Sequence, residues 1–152
     1  MIRFLRGFVY ASKGIIACIL GERNMRVHLC AAFYVLLLMP FYDFTRGEKI
    51  AVFAVIGMVT GAEAVNTAIE AVVDFVSPEH TTLAGLAKDA AAGGVLLTAI
   101  AAAAVGITLY FDGAVIREIA AYFGRHMFML TAFVLSIVCW IGFICAPLKK
   151  RD

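Results

Sequence analysis

Glu63, Asn66, Glu70 and Asp74 are residues of this chain whose types and spacing could do chemistry together. Glu63 and Glu70 are two helical turns apart, Asn66 stands at i+3, and Asp74 follows Glu70 at i+4. One helix face therefore carries all four. They lie in "GAEAVNTAIEAVVD", Gly61 to Asp74, inside a run that otherwise reads as a membrane helix. An acid near the centre of a bilayer costs roughly 2.5–3.5 kcal/mol on the insertion scale, and less toward the interface. A helix that keeps Glu63 and Glu70 against that cost uses them. Clustered carboxylates repel phosphates by themselves. With Mg²⁺ between them they become phosphate ligands, because Mg²⁺ prefers one or two carboxylates plus substrate oxygens. Another carboxylate can then draw the proton from an attacking hydroxyl. Lys88, fourteen residues beyond Asp74, is placed to steady the charge of a transferring phosphoryl group.

The competing structural reading pairs these acids with Arg26, Lys88 or a neighbouring subunit. Asp89 reads equally well as a ligand or as a helix-start residue that suits the dipole. Glu22 and Arg26 form an i, i+4 pair, whose ordinary meaning is a modest surface interaction. Phosphate loops of the GxxxxGK[ST] or GxGxxG kind are absent from the sequence, so a nucleotide would bind in another way. The three histidines show no metal-ligand spacing.

The elements that must position these residues are membrane helices. The 152 residues are 63% hydrophobic, with a mean hydropathy of +0.94, against about 45–50% apolar in soluble domains. Net charge is only +2, which argues for no nucleic-acid partner. Cys18, Cys30, Cys139 and Cys145 lie in apolar sequence without CxxC spacing and read as small fillers. "MIRFLR" resembles the start of a signal peptide, but Lys13 interrupts the apolar run that should follow. Residues 2–20 place Arg3, Arg6, Tyr10 and Lys13 on one face, which predicts an amphipathic helix in the membrane interface. Spans are predicted at Leu29–Phe44, with an earlier start that leaves Arg26 and His28 near the interface, and at Ile50–Val73 and Ala90–Phe111. "DFTRGEK" reads as a polar turn and "SPEHTTLAGLAKD" as a loop or short helix. "DGAVIREIAAYFGRH" reads as an amphipathic connector, and Met127–Ala146 as a fourth span.

With a cytoplasmic N-terminus, Arg3, Arg6, Lys13, Arg23, Arg26, Lys88, Lys149, Lys150 and Arg151 lie inside. Arg46, Lys49, Arg117 and Arg125 then lie outside. Nine against four favours this orientation. It puts Glu63, Glu70, Asp74, Lys88 and Asp89 on the side where ATP is.

"EAVNTAIEAVVD" with "AKDAAAGGVLL" downstream resembles the prokaryotic diacylglycerol kinase family. "GERNMRVH" is similar to the undecaprenol kinase branch, and "ASKG", Ala11 to Gly14, lies at the family's spacing before Glu22. The resemblance covers residues 1–112. It implies an all-α membrane bundle: an amphipathic N-terminal helix and three spans, assembled as a homotrimer. It also implies ATP- and Mg²⁺-dependent phosphorylation of a lipid alcohol at the cytoplasmic face of the inner (cytoplasmic) membrane. By resemblance, Glu63 is the general base, and Glu22 and Glu70 bind the metal. Arg3, Tyr10, Lys88 and Asp89 line the nucleotide site, which Asn66 and Asp74 support. The family often shows an aromatic residue before histidine where this chain has His80-Thr81, so adenine contacts there differ. Residues 113–152 form a second unit outside the resemblance, expected to be a connector and a C-terminal helix that serves as a peripheral anchor. Undecaprenol is the expected lipid and diacylglycerol the alternative. A proton- or cation-pathway protein would distribute acids through several spans, whereas the third and fourth spans carry none. A purely structural membrane subunit would tolerate Glu63→Gln.

Overall fold

The computed structural model describes residues 2–79 and 81–147. His80 and the basic tail with Lys149, Lys150 and Arg151 lie outside the described residues. The described chain is helical: α1 (Ile2–Gly21), α2 (Arg23–Leu38), a short 3-10 turn (Met39–Phe41), α3 (Arg46–Val76), α4 (Thr82–Tyr110), α5 (Gly113–Arg125) and α6 (Met127–Cys145). The helix starts are written in the sequence. Thr45 and Glu48 form a reciprocal capping box at α3. Thr81 caps α4 through the Ala84 N–H, and Asp112 caps α5 through the N–H groups of Ala114 and Val115. Each oxygen satisfies backbone donors that a helix start leaves open.

α3 and α4 run antiparallel and make the main packing of the bundle. The contact suits α4, whose alanines and glycines let two backbones approach. Both helices exceed the sequence expectation. The polar segments "RGEK" and "TLAGLAKD" are already helical, because the caps sit at Thr45 and Thr81 rather than at the edges of the apolar runs. The 31 residues of α3 span ~46 Å at 1.5 Å per residue, against a hydrocarbon core of ~30 Å. The excess decides where the acids lie. Counting ~20 residues from Ile50, just past the charged start of α3, brings the far boundary of the hydrocarbon to about Glu70. Glu63 then lies ~10 Å inside it and Asp74 beyond it. Counting back from Tyr110 along α4 leaves Lys88 and Asp89 just outside the same boundary.

Among the described residues, five helices are long and apolar enough to cross a membrane: α1, α2 with its 3-10 turn, α3, α4 and α6. The chain is a multi-pass helical membrane protein. α1, expected in the interface, thus also has the length and composition of a span, and it is exposed over most of its length. α5 is the predicted connector. α6 sits at the edge of the bundle against α2, and it is bonded there rather than merely tethered. The Tyr34 and Ser136 hydroxyls share a hydrogen bond of 3.0 Å midway along the pair. Phe33 meets Trp140, and Tyr34 and Phe123 each meet Phe133. At the C-terminal end of α2 Tyr122 stacks edge-on against Phe41. There the Tyr42 hydroxyl donates to the Tyr110 carbonyl (2.8 Å), and the Tyr110 hydroxyl to that of Val35 (2.9 Å).

Candidate functional site

The inward face of α3 changes character along its length. Val52 and Val59 fill its N-terminal half, and Glu63, Asn66 and Thr67 continue the same buried face. Ionisable residues in a membrane helix turn to the bundle interior rather than to lipid, as Glu63 does here. Glu63 is 1% exposed, and neither carboxylate oxygen has a hydrogen-bond partner among the described residues. The Asn66 side-chain oxygen is likewise buried without a donor. Its amide nitrogen donates to Glu70 Oε1 at 2.8 Å, which fixes that carboxylate and leaves its second oxygen to be aimed. A buried carboxylate without a donor is costly, so the three unmatched oxygens on this face call for a partner that the described residues do not supply.

Glu22 joins this face from another direction. α1 ends at Gly21 and α2 starts at Arg23, leaving Glu22 alone in an extended conformation (φ −118°, ψ 124°). That single-residue break turns the chain and places the Glu22 carboxylate, with that of Glu70, within electrostatic reach of Glu63. Glu22 and Glu70 are thus the acids whose charges bear on Glu63. Asp74 and Lys88 form an ion pair that closes α3 onto α4 at the aqueous end. Tyr10 is 67% exposed on α1, and Asp89 is exposed on α4. The chain by itself does not draw either into the cluster. Arg3 lies on α1, with its side chain outside the described residues.

Among the described residues, no three His, Cys, Asp or Glu side chains converge closely enough to hold a metal by themselves. The donor set still suits a hard divalent ion that takes one or two carboxylates and completes its shell with phosphate oxygens and water.

Two residues of this region escaped the sequence reading. Thr67, at i+4 from Glu63, is buried on the same face, and its helical spacing is signal enough to have found it. Arg26 was read as the partner of Glu22 in a modest surface interaction. It is instead 2% exposed and donates to four backbone carbonyls, at Ile19, Leu20, Phe143 and Ala146. The correction has a plain cause: Arg26 points inward at the break before α2, where helix-end carbonyls compete for its donors.

Comparison with known proteins fits this geometry. The profile of a family described as prokaryotic diacylglycerol kinase matches residues 9–110, which takes in the whole cluster and ends before α5. The undecaprenol kinase of Bacillus subtilis (strain 168) is 37% identical over 108 residues, covering 71% of this chain and 88% of the relative. A diacylglycerol kinase of Synechocystis sp. is 38% identical over 104 residues, 67% of this chain and 59% of the relative. The diacylglycerol kinase of Escherichia coli (strain K12) is 29% identical over 100 residues, 66% of this chain and 82% of the relative. No solved structure matches the chain at a significant level. The buried acids on α3, the break at Glu22 and the profile match across both lead to one assignment: the chain belongs to the prokaryotic diacylglycerol kinase family and is a membrane lipid kinase.

Proposed function

We propose that this lipid kinase transfers the γ-phosphate of ATP to the hydroxyl of undecaprenol, at the cytoplasmic face of the bacterial inner membrane, as a homotrimer with its N-terminus inside. The observation that carries the catalytic reading is Glu63, a buried carboxylate with both oxygens unmatched by the chain. Such a group is poised to accept a hydrogen bond from an incoming hydroxyl. The lipid oxygen attacks the γ-phosphorus, its proton passes to Glu63, and the bond to the β–γ bridging oxygen breaks to release ADP. Glu22 and Glu70 would hold Mg²⁺, which supplies charge neutralisation on the phosphates when bound. Asn66 keeps Glu70 oriented. Lys88, steadied by Asp74, faces the phosphates from the aqueous side, and Asp89, Tyr10 and Arg3 complete the nucleotide site once subunits assemble. In this arrangement the lipid hydroxyl and the γ-phosphate meet within hydrogen-bond reach of Glu63, while the nucleoside stays at the headgroups.

The choice of undecaprenol rests on the match to 88% of the Bacillus relative, against 59% of the Synechocystis one, and on "GERNMRVH" at the Glu22 break. An apolar cavity of about 260 Å³ between α2, α3 and α4 begins one turn below Glu63, at Val59 and Thr60, and suits a hydrocarbon chain. Diacylglycerol is the alternative acceptor. The test supplies detergent-solubilised protein with radiolabelled ATP, Mg²⁺ and either lipid, with Glu63→Gln alongside. Label in undecaprenyl phosphate that disappears in Glu63→Gln supports the reading. Label in neither lipid overturns it, and stronger label in diacylglycerol overturns the choice of acceptor.

A further inference from the structure

Arg26 has no part in the reaction as written, yet its guanidinium is fully engaged at the edge of the site. Nε donates to the Ile19 carbonyl at 2.8 Å and Nη2 to that of Leu20 at 2.7 Å. Nη1 donates to Phe143 at 2.8 Å and to Ala146 at 3.0 Å. The guanidinium carbon also stands 4.8 Å from the centre of the Phe143 ring. All four acceptors belong to the last turns of two helices, α1 and α6.

The need arises at Glu22. Breaking the helix there strands the final carbonyls of α1, which have no donor further along the helix. The Glu22 N–H takes that of Cys18 at 2.8 Å, and Arg26 takes the next two. A cation at the C-terminal ends of two helices is also favoured by both dipoles. The guanidinium is a rigid plane with donors in fixed directions. Its grip on α1 and its grip on α6 are therefore one constraint, and Glu22 sits inside it, between the helix whose carbonyls are held and the helix that bears the arginine.

We propose that Arg26 is a positioning residue, braced by the C-terminal turn of α6, that holds the Glu22 break at the angle from which its carboxylate reaches a divalent cation shared with Glu70. The inference rests on the metal-binding roles given to Glu22 and Glu70 above. It gives the C-terminal helix, which the family profile does not cover, a task in the reaction.

The test uses the full-length protein in detergent with a non-hydrolysable ATP analogue. Bound Mn²⁺ is measured by electron paramagnetic resonance, and lipid phosphorylation is followed separately against Mg²⁺ concentration. Arg26→Lys keeps the charge but loses the fork. Phe143→Ala leaves every carbonyl in place and removes the ring beneath the guanidinium, more than a hundred residues from Glu22. Arg26→Lys is expected to weaken Mn²⁺ binding about ten-fold, in the range typical of lost support behind a metal ligand. Its Mg²⁺ requirement should rise in parallel, while its rate at saturating Mg²⁺ stays within about three-fold of wild type. Phe143→Ala should shift both in the same direction by about three-fold. If either variant, once assembled, binds Mn²⁺ as tightly as wild type, the proposal is overturned; should Arg26→Lys not assemble, Phe143→Ala decides alone. A wild-type protein that phosphorylates neither lipid sinks the kinase reading instead, a result the Mn²⁺ titration cannot imitate.

Discussion

Replacing Glu63 by leucine should make the protein more stable and inactive at once. The side chain is 1% exposed, with two oxygens that find no donor among the described residues. An unsatisfied buried polar group costs about 1–3 kcal/mol. Leucine is close in volume, so its cavity and overpacking terms are small. Stability should rise by about 1–3 kcal/mol, measured by titrating SDS into dodecyl maltoside micelles and following helix content. Loss of a general base should lower the phosphorylation rate about 10²–10⁴-fold, or about 3–5 kcal/mol on the barrier. The opposite signs give the experiment its force. A carboxylate that served to knit helices together would lower stability when removed. Destabilisation by about 1 kcal/mol or more, or retained transfer to lipid, would refute the assignment of Glu63 to chemistry.

Thr45→Ala should cost about 1 kcal/mol in the same unfolding assay by removing the capping box. It should leave turnover unchanged, because Thr45 lies ~27 Å from Glu63 along α3. Lys88→Met should reduce phosphorylation at fixed ATP about a hundred-fold; stability should move by less than about 1 kcal/mol, since the Asp74 pair is solvent-facing. Burial, reinforced by the charge of Asp112, raises the Tyr42 phenol above its ordinary value of 10.0. Its neutral form is therefore favoured in the folded protein, and that contribution is complete below about pH 10 and lost as pH rises through the folded value. Unfolding curves should show an alkaline loss of stability that Tyr42→Phe diminishes, and an identical alkaline slope in the variant would count against it.

Much of this molecule could be read from local pattern. The apolar runs marked α2, α3, α4 and α6, the period of "DGAVIREIAAYFGRH" marked α5, and the spacing of Glu63, Asn66 and Glu70 put them on a buried face. Those features depend on residues a few positions apart. The helix ends were set less well, because Thr45 and Thr81 cap the chain before its polar stretches are finished. The binding of α6 was hardest to foresee. Tyr34 meets Ser136 and Arg26 meets Phe143 across more than a hundred residues. The one hint was polar atoms, Tyr34 and Ser136, in spans where lipid offers them nothing. The gathering of Glu22 with Glu63 and Glu70 came from resemblance, since the i, i+4 relation to Arg26 pointed to an ordinary surface pair.

The clamp at Arg26 holds α1 through main-chain oxygens alone, and α6 through two more and the Phe143 ring. Positions 19, 20 and 146 can therefore exchange side chains freely without loosening it, and a saturating mutational screen should find them permissive beside an intolerant Arg26. Such a joint leaves almost no trace in residue identity. An added helix can be recruited to an older catalytic body with one arginine already in place, and later drift at its end would hide the attachment from any comparison of letters alone.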